Sequence, residues 1–364
     1  MRKKNKGLYI HIPFCDELCP YCSFAHVLKQ YANQDQYIKR VIEDLSNLKD
    51  KSFSSIYLEG GTPSSLSLSN LELLLSYLNK YLDDSSFTIE INPSSYSFEL
   101  AKLLKKYNVN RVSIGVQTFN KTLQNKIKRY STYSEIKNII DELNNLVIED
   151  INIDLMYGIN GSDLITLKSD LELFTSLNVK HISTYSLQIE EHTIFYNQKE
   201  EEMNQDDCRN QYDLICAFLK EKGFVHYEIS NFSKPGYESK HNLLYWRNEE
   251  YVGIGISASG YENNIRYTNE SSLKRYLDNN FKVDKEYLTE KEKKEYFIIL
   301  ALRLKEGIIF KRYEEEFNSS FLHDYASTIE KLKNKGVIDI DDHHLSVCED
   351  YFFTLNQVLL EFLN

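Results

Sequence analysis

Six short runs of β-branched and apolar residues, at 8–12, 55–58, 87–91, 111–116, 151–156 and 181–186, alternate with five longer segments, at 31–48, 68–81, 98–107, 134–147 and 164–177. In the longer segments apolar residues recur at three- and four-residue intervals, the signature of an amphipathic helix. A chain that repeats strand and helix in this way is confined to parallel strands with right-handed helical crossovers. The pattern predicts an α/β fold built on a partial, six-stranded (β/α)6 barrel of the TIM type.

The residues that break this pattern fall at corresponding places. A cysteine-rich loop follows the first strand, Glu59-Gly60-Gly61-Thr62-Pro63 the second, and Asn92-Pro93 the third. Glu90, Gln117 and Asp154 lie at or near the ends of the third, fourth and fifth strands. In barrels of this kind the C-terminal ends of the strands form the reactive face.

The cysteine loop reads Cys15-Asp16-Glu17-Leu18-Cys19-Pro20-Tyr21-Cys22. Three thiols in eight residues, with no obvious fourth, match a cubane iron–sulfur cluster whose fourth iron is left open. A structural zinc site wants four protein ligands, and His11 or His26 would be the candidates to complete one. Cys208, Cys216 and Cys348 are scattered and read as ordinary small residues. In Gly60-Gly61 the missing side chains expose backbone and admit close approach.

Composition narrows the partners. The net charge of −11, from 43 basic and 54 acidic residues, argues against a nucleic-acid partner. No run of 18 apolar residues suggests a membrane span, and the basic residues 1–6 lead into too short an apolar stretch for a secretory signal. A cytoplasmic protein is expected, where disulfides are improbable.

Beyond the barrel, the residue pattern predicts a helix at 206–222, one strand at 224–232, and a glycine-rich apolar segment at 252–261 able to approach a ligand. A helix at 289–304, another near 324–335, a hairpin at 337–347 and a last helix at 354–363 make a mainly helical, winged-helix-like module. With 11 basic against 16 acidic residues over 285–364, that module is read as a lid or partner-facing unit rather than a DNA reader. The expected domains are 1–270 and 271–364.

Tyr9-Ile10-His11-Ile12-Pro13-Phe14 leading into the cysteine trio, followed by Gly60-Gly61-Thr62-Pro63, resembles the radical S-adenosylmethionine (SAM) superfamily. Within it, segments 111–119, 152–158 and 185–187 are similar to the anaerobic coproporphyrinogen III oxidase family. Segments 227–232, 241–248 and 302–307 look like its haem-chaperone (HemW) branch. The resemblance implies that Cys15, Cys19 and Cys22 hold a [4Fe–4S] cluster, whose open iron is chelated by SAM, cleaved on reduction to a 5′-deoxyadenosyl radical. It implies that Tyr9, Gly60, Gly61, Thr62 and Glu90 contact that SAM. Tyr21, Gln117, Arg129 and Asp154 match positions around a second SAM in the oxidases.

Two features separate the branches. The oxidases carry a further cysteine two residues past the third ligand, and Phe24 stands there. The chaperone branch has an HNxxYW segment, present as His241-Asn242-Leu243-Leu244-Tyr245-Trp246, where an imidazole among rings suits haem. The implied partners are haem, a haem-accepting protein (a respiratory one among the options) and an electron donor for the cluster. The competing expectation is oxidative decarboxylation of coproporphyrinogen III, or another radical modification of a tetrapyrrole. Three departures stand out: Glu59 where a glycine is expected, Tyr130 after Arg129, and the absence of Pro and His from 255–260.

Overall fold

The computed structural model describes residues 5–29, 33–50, 52–279 and 282–363. The N-terminal basic residues 1–4 and the expected helix start at Tyr31 lie outside these.

The six expected strands form and pair in sequence order. They are β1 (Lys6–Ile12), β4 (Phe53–Gly60), β5 (Leu82–Ile91), β6 (Arg111–Gln117), β7 (Asp150–Tyr157) and β8 (His181–Ser186). A short parallel pair, β2 (Phe14–Cys15) and β3 (Val27–Leu28), brackets the cysteine loop. The crossovers are α1 (Gln34–Ser46), α2 (Leu68–Leu78), α3 (Phe98–Lys106), α4 (Lys121–Ile127) with α5 (Tyr133–Asn145), and α6 (Leu164–Ser176). Each long one starts on a side-chain cap. Thr132 and Glu135 form a reciprocal capping box on α5, and Asp163 accepts from Thr166 N at 2.8 Å on α6. Leu8, Ile10 and Ile12 of β1, with Ile56 and Leu58 of β4, face the helices and are fully buried. The alternate residues face the barrel interior.

A short helix α7 (Ile194–Gln198) and then α8 (Gln205–Glu221) follow. The single strand expected at 224–232 is two, β9 (Val225–Glu228) and β10 (Asn231–Ser233), paired antiparallel. The break has a local cause: the buried Glu228 carboxylate accepts from Ser230 N at 3.1 Å and from the Asn231 amide, which folds the chain back. Next comes α9 (Lys240–Trp246).

The glycine-rich segment is mostly strand rather than loop. It forms β11 (Glu250–Ile254), a seventh parallel strand on the far side of β1, and β12 (Ser259–Glu262) returning beside it. With β13 (Ile265–Asn269) and β14 (Val283–Tyr287), joined through α10 (Leu273–Leu277), the sheet reaches twelve strands. Its order is β14-β13-β12-β11-β1-β4-β5-β6-β7-β8-β10-β9. The barrel stays open between β9 and β14. Strand β14 lies past residue 270, and its Val-Asp-Lys-Glu-Tyr sequence carries the charges of an exposed edge rather than an apolar run.

The C-terminal part has α11 (Glu290–Ala301), α12 (Phe310–Phe317), α13 (Phe321–Asp324), α14 (Ala326–Asn334) and α15 (Leu355–Leu363). A small sheet of β15 (Ile308–Ile309), β16 (Ile338–Ile340) and β17 (His344–Val347) completes the winged-helix-like module. It docks on β9 through backbone bonds from Ile229 N to Arg303 O and from Lys305 N to Tyr227 O, at 2.9 and 3.0 Å. No helix among the described residues is long and apolar enough to cross a membrane.

Candidate functional site

The cysteine loop is clipped onto the strand ends by backbone hydrogen bonds. Val27 N–H donates to Pro13 O at 2.7 Å, Gly61 N–H to Ile12 O and Thr62 N–H to Phe14 O, both at 2.8 Å. This close docking explains Gly61, where a Cβ would lie 2.6 Å from the Pro13 carbonyl carbon. Gly60 has φ +119°, and a Cβ there would meet the His11 ring at 2.6 Å. The chain's own packing thus demands both glycines.

His11 ties the layers together. Its Nε2–H donates to the carbonyl of Ala25, at the far end of the cysteine loop, at 2.7 Å. That fixes the tautomer, so Nδ1 accepts from the Tyr9 hydroxyl at 3.0 Å. Burial holds the imidazole neutral, with its pKa down at about 4.

The three thiols face the same region. Cys15 Sγ lies 3.7 Å from Thr62 Oγ1, and Cys22 N–H donates to Cys19 O at 3.2 Å. Burial pushes the Cys15 thiol up to about 11 and raises Cys19 and Cys22, while Arg129 pulls all three the other way. His26 Nδ1 is engaged with Phe24 O at 2.5 Å and lies 3.9 Å from Cys22 Sγ. Among the described residues, no three His, Cys, Asp or Glu side chains converge as ligands of a single ion. Three soft thiol ligands spread along one loop fit a [4Fe–4S] cluster better than a closed zinc tetrahedron.

Around this loop the inward-facing side chains build a polar mouth. Arg129 is half-buried and donates from Nε to the Tyr21 hydroxyl at 3.3 Å; desolvation opposes its charge, and Tyr21 and Cys19 outweigh that. Glu59, Glu90 and Asp154 share the mouth. Burial pushes all three carboxyls upward, and Glu59 and Glu90 are raised further by their acidic neighbours. Glu90 accepts from Tyr57 at 3.1 Å, and Gln117 accepts from Tyr185 at 2.9 Å. Gln117 has φ +73°, left-handed backbone that a non-glycine residue adopts at a cost of about 1 kcal/mol or more. Asp170 fixes the turn after it, accepting from Thr118 Oγ1 at 2.5 Å and Phe119 N at 2.9 Å.

From Asp154 a hydrogen-bonded chain descends through the barrel. Asn152 donates to Asp154 at 2.7 Å and accepts from His181 Nδ1 at 2.6 Å. His181 Nε2 meets the Tyr227 hydroxyl at 2.8 Å, which accepts from Ser239 N, at the N-cap of α9, at 3.1 Å. Helix α9 packs against β1 and β4, toward the end of the barrel opposite the cysteines.

The structure therefore brings Tyr9, Tyr21, Gly60, Gly61, Thr62, Glu90, Gln117, Arg129 and Asp154 together around the cysteine loop. His241 is elsewhere. It is 1% exposed on α9, with Nδ1 at 2.9 Å from Ser55 Oγ and Nε2 at 2.8 Å from the Tyr245 hydroxyl. As placed, neither nitrogen is open to a metal. Glu59, Tyr57 and Tyr185 are mouth residues absent from the expected site. Their signal was a period of two within the strands: Ser55-Tyr57-Glu59 and His181-Ser183-Tyr185 put a polar residue at every inward position.

Comparison with known proteins agrees with this architecture. Residues 9–174 match the Radical SAM superfamily model and residues 288–349 the HemN C-terminal domain model. The chain is 38% identical over 373 residues to the heme chaperone HemW of Lactococcus lactis, covering 100% of this chain and 98% of that one. It is 35% identical over 350 residues to the heme chaperone HemW of Bacillus subtilis, covering 92% of each. The solved structure of coproporphyrinogen III oxidase (HemN) from Escherichia coli superposes with a TM-score of 0.86 at 21% identity, covering 99% of this chain and 90% of that one.

Proposed function

The chain belongs to the radical SAM superfamily and, within it, to the HemW heme-chaperone family, and on that premise we propose that it holds a [4Fe–4S] cluster and SAM at the barrel mouth, binds haem and passes it to an acceptor protein. The observation that carries the cofactor reading is the cysteine loop clipped onto Gly61 and Thr62, with its thiols beside a mouth of three carboxyls and one arginine. The cluster would supply an electron to a chelated sulfonium.

The residues themselves bind and orient. Cys15, Cys19 and Cys22 would ligate iron, and Thr62 would hydrogen-bond at the Cys15 sulfur. Tyr9, Gly60, Gly61 and Glu90 would line the SAM seat next to the open iron, and Tyr21, Gln117, Arg129 and Asp154 would line the rest of the mouth. SAM carries a sulfonium and an ammonium beside one carboxylate. Three carboxyls facing a single Arg129 complement that balance of charge. Phe24 is 57% exposed on the rim where the oxidases carry a thiol, which favours carriage over oxidation. The barrel would hold both cofactors, and the C-terminal module would face the acceptor, in the cytoplasm.

The test is anaerobic reconstitution of the full chain, followed by iron counting, haem titration at the Soret band and transfer to an apo-haem protein. Bound iron lost in Cys19→Ala, together with a Soret band and transfer, is the expected result. Protoporphyrinogen formed from coproporphyrinogen with SAM and a reductant would replace this reading with the oxidase one.

A further inference from the structure

A cavity of about 630 Å³ lies beside the mouth, between the ends of β7 and β8, the start of α8, and residues 352–356 of the C-terminal module. Resting on the haem-carrier reading, we propose that this cavity, and not the imidazole of His241, is the haem seat.

Its size falls within the range of small-molecule sites, roughly 300–1,000 Å³. Its walls carry flat rings from both units, with Tyr157, Tyr212 and Trp246 on the barrel side and Phe352 and Phe353 on the other. Tyr212 and Phe353 pack on each other at 5.5 Å and Phe352 is fully buried, so a planar macrocycle would lie against this aromatic wall, on the half-buried Trp246 and Phe353, rather than between its two sides. Among the described residues that line it the cation is Arg303, 5.6 Å from the centroid of the Trp246 ring. Among the described residues Arg303 has no carboxylate within ion-pair distance, and the buried Glu228 acts on its charge only from further off, whereas Arg247, next to Trp246, is held bidentately by Glu306 at 2.8 and 3.0 Å. A propionate would give Arg303 a direct, hydrogen-bonded carboxylate in addition to the more distant Glu228. Glu190 and Glu202 also line the cavity, and the Glu202 carboxylate is taken up by Ile189 N–H at 2.8 Å.

Met203 and Cys208 bring a thioether and a thiol to the wall, both donor types that ligate haem iron. Trp246 ends the same helix that carries His241. The HNxxYW segment thus reaches the cavity through its indole, while its imidazole is closed inside the barrel between Ser55 and Tyr245. The cavity extends to Tyr185, whose hydroxyl bonds Gln117, so a haem seated there would border the mouth.

The test titrates haemin into the full-length protein and two variants, Ser186→Trp, which fills the cavity, and Arg303→Met, which removes the cation. At least tenfold weaker haem binding in both, with iron–sulfur loading retained, is expected. Should Ser186→Trp misfold, as judged by circular dichroism, Arg303→Met decides alone. If the wild type binds haem and Arg303→Met binds it equally, or if His241→Phe alone abolishes binding, the cavity assignment is overturned and the carrier reading stands. If the wild type shows no Soret band, the carrier reading itself fails and the assignment falls with it.

Discussion

Replacing Gly61 by alanine tests whether the docking of the cysteine loop is what makes the mouth. Gly61 has ordinary backbone angles, so the substitution adds no left-handed strain. The new methyl would lie 2.6 and 2.7 Å from Pro13 C and O and 2.9 Å from Phe14 O, all backbone atoms that no rotamer change can move aside. Either the methyl is forced in, an overpacking that costs about 1–3 kcal/mol, or the loop lifts. Lifting breaks the Gly61–Ile12 and Thr62–Phe14 hydrogen bonds, together about 1–3 kcal/mol. A loss near 2 kcal/mol corresponds to a roughly thirty-fold shift from docked to displaced loop, at about 1.4 kcal/mol per factor of ten. Urea midpoints of the metal-free chain and iron content after anaerobic reconstitution should therefore both fall. Gly336→Ala is the control: φ is +66° and nothing lies within 4 Å, so it costs about 1–2 kcal/mol of backbone strain far from the cysteines. A Gly61→Ala protein with wild-type stability and iron content would refute the reasoning, as would equal iron loss in Gly336→Ala.

Further outcomes follow from the buried ionisable groups. Burial raises Glu228 to about 7, so between its unfolded value near 4.5 and pH 7 the native chain binds the extra proton and stability falls as pH rises; Glu228→Gln should remove up to about 1.4 kcal/mol per pH unit of that slope in urea melts. Burial lowers His241 to about 3, so its contribution is present above pH 6.5 and is lost as pH falls below it; His241→Phe should flatten the acid limb of the same measurement while losing the Ser55 and Tyr245 bonds, a cost of about 1–3 kcal/mol at pH 7. Asp170→Ala should free the turn after Gln117, lowering stability by about 2 kcal/mol and weakening SAM binding in equilibrium dialysis, because the Gln117 side chain is aimed by that turn. Arg247→Ala removes a half-exposed ion pair to Glu306 and should lower the unfolding free energy, measured in urea melts, by no more than about 1 kcal/mol.

The barrel was legible because its strands and helices repeat a simple alternation of apolar periods, and because the unusual residues sit where each strand ends. The cysteine trio was likewise legible as one site, since three thiols in one loop need no distant partner to be read. Strands β9 to β14 were not legible in the same way. Glu228 breaks an apparently continuous apolar run, and β14 is a charged edge whose only reason to be a strand is β13 beside it. Both depend on pairing across the sheet.

Sequence alone determined the fold class, the cysteine loop and which strand ends carry polar residues, because each follows from local periodicity or from position at a strand end. Tertiary structure decided why Gly60 and Gly61 are glycines, which carboxyls share one enclosure, and where the HNxxYW helix points. His241 and Trp246 are five residues apart on α9, yet one is sealed in the barrel and the other lines an interdomain cavity. A helix places neighbouring side chains on different faces, and only the elements packed against it decide which face meets a ligand.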